Sequence, residues 1–169
     1  MAATVRVDSR LVHSRVVEAW IPALGIDTVV VVDEKTAGDA KARSAMSEAL
    51  PEDVALKVLR PGEPLLPLLG KDRRILVLVP NVFSAKDLYD RLGKAGRDLL
   101  LNVGILHEQA GRRSITDDIH LSEPEIEALF RLSETGVKVE LKSIPDDAAL
   151  GLEDARSRYQ KSLESSTSR

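Results

Sequence analysis

Six short runs rich in β-branched residues recur along this chain, and the stretches between them carry helical rather than alternating patterns. The runs cover residues 5–7, 29–32, 54–59, 75–79, 99–103 and 137–141. Several, such as 29–32 and 75–79, are apolar without alternation, as strands covered on both faces must be. Strands separated by helices pair through crossover connections. The order therefore predicts a doubly wound, mainly parallel α/β sheet with helices on both faces. In such sheets ligands sit beyond the carboxyl ends of the strands. Function is expected in the loops after Val7, Val32, Val79 and Val103.

The helices announce themselves by spacing and by caps. Val16, Val17, Trp20, Ile21 and Leu24 repeat at helical intervals, with Gly25 as a stop. Asp39 caps a helix running to about Leu50. A further helix is expected over 84–95, with Leu88 and Leu92 on one face. Ser122, Glu123, Pro124 and Glu125 form a capping box with proline in the first turn, opening the helix of Ile126, Leu129 and Phe130. The tract from Leu65 to Leu69 is expected to pack beneath a short connecting helix. A chain of 169 residues suits one domain, read here as 1–146. Residues 147–169 are read as a C-terminal helix (Leu152, Ala155, Tyr159, Leu163) and a polar tail fraying from Ser165.

Composition removes several function classes. There is no cysteine, so thiolate catalysis, disulfides and cysteine-ligated metals are excluded. Lys and Arg number 24 against 27 Asp and Glu, a net charge of −3 that argues against a general nucleic-acid binder. No run approaches the roughly 20 apolar residues of a membrane helix. Arg6 and Asp8 precede any apolar stretch, so no secretory leader is expected and a cytoplasmic location is. His13, His107 and His120 lack metal-ligand spacing, and no cofactor is implied.

The first strand runs into Asp8-Ser9-Arg10-Leu11-Val12-His13-Ser14-Arg15, with a helix beginning at about that point. His13 thus stands in a strand-to-helix loop, between Arg10 and Arg15 and beside the positive end of a helix. These surroundings disfavour imidazolium, so a neutral and nucleophilic ring is expected at pH 7. They also attract an anion: backbone N–H groups at a helix start cradle phosphate, and the arginines can neutralise a transferring phosphoryl group. A histidine that merely caps or packs, with solvated arginines, is the rival reading.

The run Arg6-Val7-Asp8-Ser9-Arg10-Leu11-Val12-His13 closely resembles the signature of the IIB components of the mannose/fructose/sorbose branch of the bacterial phosphotransferase system. That family typically reads Arg-Ile-Asp-Asp-Arg-Leu-Ile-His-Gly-Gln-Val at this point. The likeness continues through residues 29–33, Asp39, Leu101-Asn102-Val103-Gly104, Gly111-Arg112 and 122–130 to Ile144-Pro145. It implies a mainly parallel sheet with one antiparallel edge strand. It also implies that His13 is phosphorylated through Nδ1 by a phosphohistidine on a mannose-type IIA partner. The group would then pass to a hexose at a membrane complex of IIC and IID subunits, with Arg10 handling the phosphoryl group. Ser9, Ser14 and Arg15 depart from the family pattern. Arg15 adds a positive charge expected to stabilise phosphohistidine.

The candidate site is thus His13 and Arg10 for catalysis, with Asp8, Ser14, Arg15, Asn81, Ser84 and Arg112 around the phosphate. Asn81 and Ser84 have two open readings, helix capping by Ser84 (with Asp87 at the reciprocal position) or phosphate contact. Arg112 either extends a cationic rim or is solvated. His107 lies on the functional edge, whereas His120 is read as structural. Asp33 and Glu34 do not make a receiver-type acidic pocket, because only Asp8 follows the first strand. The alternative function is a regulatory module that binds, or is phosphorylated by, a IIA partner without transferring to sugar. The sugar itself is not legible.

Overall fold

The computed structural model describes residues 2–70 and 72–168. In chain order, β1 (Ala2–Val7) leads into α1, residues 14–24, of which Val16–Trp20 is π-helical and Ile21–Leu24 α-helical. Next come β2 (Thr28–Val32), α2 (Glu34–Ala37), α3 (Ala40–Ala49), β3 (Ala55–Leu59) and β4 (Arg74–Val79). Then follow α4 (Val82–Leu92), β5 (Leu100–Val103), β6 (Arg113–Ser114) and β7 (His120–Leu121). The chain ends with α5 (Glu123–Glu134), β8 (Val139–Leu141) and α6 (Leu152–Thr167).

The six long strands form one sheet in the order β3-β2-β4-β1-β5-β8, with β6 and β7 as a separate antiparallel pair. Every pairing within the six-stranded sheet is parallel. The expected antiparallel edge strand is reduced to a single bridge, in which Leu141 and Leu150 exchange backbone hydrogen bonds of 3.0 and 2.9 Å. The reason is local. The chain turns back after β8, with Asp147 accepting from the N–H groups of Ser143 and Ile144. Gly151 then begins α6 directly after Leu150, leaving no extended residues to lengthen the pairing.

Alternating side chains on the buried strands feed two cores. Val5, Val7, Val30, Val77 and Val79 face a large core beneath α4, α5 and α6. Val29, Val31, Leu76 and Leu78 face a smaller one with Leu11, Val16, Trp20 and Ile21. Ala155 and Tyr159 place α6 in the large core, and the helix continues through Thr167 rather than fraying at Ser165. Leu65 and Leu69 are buried around a 3-10 turn at Leu66–Leu68.

The caps are mostly those expected: Asp39 accepts from the backbone of Ala42, and Ser122 with Glu125 completes a capping box. Asp33 caps α2, accepting from Thr36 N at 2.9 Å. The cap of α4 differs. Asn81 takes it, its Oδ1 accepting from Ser84 N at 2.9 Å, so the helix starts two residues early. Asp87 instead pairs with Arg91 at 2.9 Å. The π-turn in α1 has a chemical cause: Pro22 has no N–H to continue the α-helical ladder, and Ile21 N reaches back to Val16 O. No helix among the described residues is long and apolar enough to cross a membrane.

Candidate functional site

The site begins with a charge inside a strand. Arg6 alternates with Val5 and Val7, so it points to the face that carries Trp20 and is fully buried there. A buried guanidinium must have its donors filled. Nε donates to Asp8 Oδ2 at 3.1 Å and Nη1 to Asn102 Oδ1 at 2.6 Å. Nη1 also donates to Lys142 O (3.2 Å), and Nη2 to Ser143 O (3.1 Å). Nη2 lies 3.0 Å from Asp8 Oδ2 as well, and Trp20 stacks with its ring centroid 4.6 Å from Cζ. Burial pushes the Arg6 pKa below its ordinary value, and the Asp8 carboxylate works the other way. Gly104 makes the room: a Cβ there would lie 2.1 Å from Arg6 Cζ.

Asp8 passes this anchoring on. Its Oδ2 is 2.9 Å from His13 Nε2, and its Oδ1 accepts from Arg10 N at 3.0 Å. An ionised carboxylate only accepts, so Nε2 carries the proton and Nδ1 the lone pair. Asp8 therefore orients the imidazole; it is not placed to ligate a phosphate, whose oxygens carry the same charge. The loop between them is held on both sides, by Asp8 N to Val79 O (2.9 Å) and Ser9 N to Ile105 O (2.8 Å). Leu11 adopts φ 56°, a left-handed conformation strained for leucine, while its side chain is buried in the core under α1.

His13 is 8% exposed, and its Nδ1 is buried without a hydrogen-bond partner. It is the sole side-chain nitrogen or oxygen in that condition among the described residues. Buried polar atoms are ordinarily satisfied, and an exception at the end of a strand in a parallel sheet points to function.

The other expected residues divide. Arg10 and Arg15 line a cleft of about 150 Å³ with His107, Glu108, Asp118 and His120. Arg10 is exposed, whereas Arg15 donates to Asp118 Oδ2 (2.6 Å) and Ser143 Oγ (2.9 Å). Ser14 is exposed in the first turn of α1. His107 is exposed, its backbone N–H on Ser9 Oγ at 3.3 Å, and His120 Nδ1 pairs with Leu106 O at 3.1 Å.

Arg112 is committed elsewhere. Its Nε and Nη2 grip the Glu125 carboxylate in a buried pair, and Nη1 donates to His107 O at 2.9 Å. This arginine ties the capping box of α5 to the His107 loop rather than forming a cationic rim. Asn81 and Ser84 line a different cavity, of about 590 Å³, between residues 61–66 and α4. The site as assembled is thus Arg6, Asp8 and His13, joined by the backbone N–H of Arg10, while the side chains of Arg10 and Arg15 line the cleft with His107 and Asp118. Sequence reading missed Arg6 as a participant. The available signal was an arginine inside a strand predicted to be covered on both faces, with Asp8 two residues on and so on the same side.

A family model described as the PTS (phosphotransferase system) sorbose subfamily IIB component matches residues 2–167. The chain belongs to this family. It is 27% identical over 145 residues to the fructose-specific EIIB component of Bacillus subtilis, covering 85% of this chain and 88% of that protein. It is 22% identical over 157 residues to the mannose-specific EIIAB component of Escherichia coli, 92% of this chain but 48% of that longer protein. Among solved structures, the IIBSor domain of the Klebsiella pneumoniae sorbose permease superposes with a TM-score of 0.81 at 19% identity, covering 93% and 97% of the two chains. The manxB structure from Thermoanaerobacter tengcongensis gives 0.80 at 26% identity, covering 92% and 95%. As a IIB component, this chain has a role in PTS sugar phosphotransfer, and the α/β sheet expected from its sequence is the family fold.

Proposed function

We propose that this IIB component accepts a phosphoryl group on Nδ1 of His13 from a phosphohistidine on a mannose-type IIA partner. The observation that carries the reading is the unpartnered Nδ1 of a ring whose Nε2 is held by Asp8. The Nδ1 lone pair attacks phosphorus in line as the donor's N–P bond breaks, and that electron pair returns to the donor imidazole. Positive charge develops on the His13 ring, where the Asp8 carboxylate accepting from Nε2–H offsets it. Arg10 stabilises the equatorial oxygens. Because Nδ1 is buried, the donor must displace the covering side chains as it docks.

In the second step a sugar hydroxyl attacks the phosphohistidine, its proton passes to solvent, the N–P bond breaks, and Nδ1 regains its lone pair. The sugar is presented by membrane IIC and IID subunits, with the IIB component on the cytoplasmic side. Related proteins named as PTS fructose-specific EIIB and mannose-specific EIIAB components support a sugar as the final acceptor.

Incubation with a phosphorylated IIA-type donor tests the acceptance step. The protein should acquire an acid-labile, base-stable phosphate, and His13→Ala should acquire none. Undiminished labelling of His13→Ala overturns the assignment.

A further inference from the structure

Two residues beyond His13 one guanidinium serves two neighbours. Arg15 Nη1 donates to Asp118 Oδ2 at 2.6 Å and to Ser143 Oγ at 2.9 Å, and Ser143 Oγ itself donates to Asp118 Oδ2 at 2.8 Å. The triangle stands on a rigid base. The Ser143 carbonyl accepts from Arg6 Nη2 (3.1 Å) and Trp20 Nε1 (3.0 Å). A bridge between Leu106 and Ile119 fixes the Asp118 segment beside the loop that follows β5. Asp118 is only partly buried. Desolvation there acts to raise its pKa, but hydrogen bonds from Ser143 and Arg15 hold it below the ordinary carboxylate value.

We propose that Asp118 is a positioning residue that sets how firmly His13 holds a phosphoryl group, by keeping the Arg15 guanidinium on itself and on Ser143. The inference rests on the reading of His13 as the phosphorylated residue. Arg10 and Arg15 both line the cleft and stand three and two residues from His13 in the chain, and a phosphoryl group on His13 brings up to two negative charges beside them. Arg15 stabilises that product only to the extent that it leaves Asp118. Each conformation satisfies one anion at the expense of the other, so the carboxylate lowers the affinity of His13 for phosphate. A carrier must release what it accepts, and a competing carboxylate keeps the phosphohistidine transferable without removing the arginine that assists its formation.

The side chains of Arg15 and Asp118 are 44% and 36% exposed, so solvent screens the exchange. An exposed pair of this kind corresponds to roughly a two- to fivefold change in equilibrium constant. The test equilibrates the full chain with a phosphorylated IIA-type donor at fixed ratio and reads the phosphorylated fraction on a gel. Asp118→Asn should raise the equilibrium constant by about that factor and prolong the lifetime of the phosphorylated form. Asp118→Glu should return it towards wild type. In an Arg15→Gln background, Asp118→Asn should have no effect. Unchanged equilibrium in Asp118→Asn overturns the proposal. So does an equal rise with and without Arg15, which would make Asp118 a simple repelling charge. Failure of the wild type to be labelled at all would instead overturn the assignment of His13, which separates the two outcomes.

Discussion

Nε2 of His13 sits 2.9 Å from Oδ2 of Asp8, and this contact decides which ring nitrogen is available for chemistry. A carboxylate that cannot donate holds the proton on Nε2 and leaves the lone pair on Nδ1. In ¹⁵N-edited spectra of the wild type, His13 should therefore appear as the Nε2–H tautomer. Asp8→Asn can present either a donor or an acceptor to the ring and should lose that bias, slowing phosphoryl acceptance by roughly a hundredfold. Unchanged tautomer and rate in a folded Asp8→Asn protein would separate Asp8 from the chemistry.

Gly104 is expected to be intolerant of any side chain. A methyl group there would occupy the position of the Arg6 guanidinium, and neither Arg6 nor the strand pairing can retreat from a fully buried position. Gly104→Ala should cost at least about 1–3 kcal/mol by overpacking, with more lost if the Arg6–Asp8 pair separates. Chemical denaturation measures this directly, and a midpoint equal to wild type would contradict the packing.

Arg112 and Arg10 should behave oppositely. Arg112→Ala leaves the buried Glu125 carboxylate unpaired and should destabilise the fold by about 3–5 kcal/mol, with normal labelling per folded molecule. Arg10→Ala removes an exposed side chain and should keep its thermal midpoint while transfer slows by roughly tenfold or more. Thermal melts paired with labelling rates distinguish the two patterns.

Asp27 predicts a specific acid limb. Its carboxylate accepts from the backbone N–H of Arg74 at 2.9 Å and from Thr28 Oγ1 at 2.7 Å, and these bonds lower its pKa, the backbone bond most. A depressed folded-state value means the stabilisation is present above the unfolded pKa, near about 3.9, and is lost as pH falls through the folded one. Wild type should be more stable than Asp27→Asn at pH 7, and the difference should shrink once the pH drops below about 4. A difference that persists undiminished at pH 2 would assign it to neutral hydrogen bonding.

The sheet, the two-sided helical cover and most caps were legible because they rest on patterns local in sequence. Val29–Val32 is apolar on both faces wherever it lies, and Ser122 reaches Glu125 within one turn. The loop carrying His13 was legible for the same reason. It lies where the first strand ends and a helix begins, and its cations are neighbours in the chain. Partner choice among the charges was not. Arg15 meets Asp118 across 103 positions, and Arg6 meets Asn102 across 96, because β1 lies between β4 and β5. Arg112 stands a single helix start away from Glu125, yet only the turn of the intervening β6 and β7 brings the two together in the core. By itself the sequence determined that a histidine flanked by two arginines stands at a strand-to-helix loop of a parallel sheet, since propensity and spacing act over a few residues. Tertiary structure alone decided which nitrogen of that ring is unpaired and which partners the arginines take. A buried charge such as Arg6 or Arg112 must be partnered, and the fold rather than the local sequence decides which groups come within its reach.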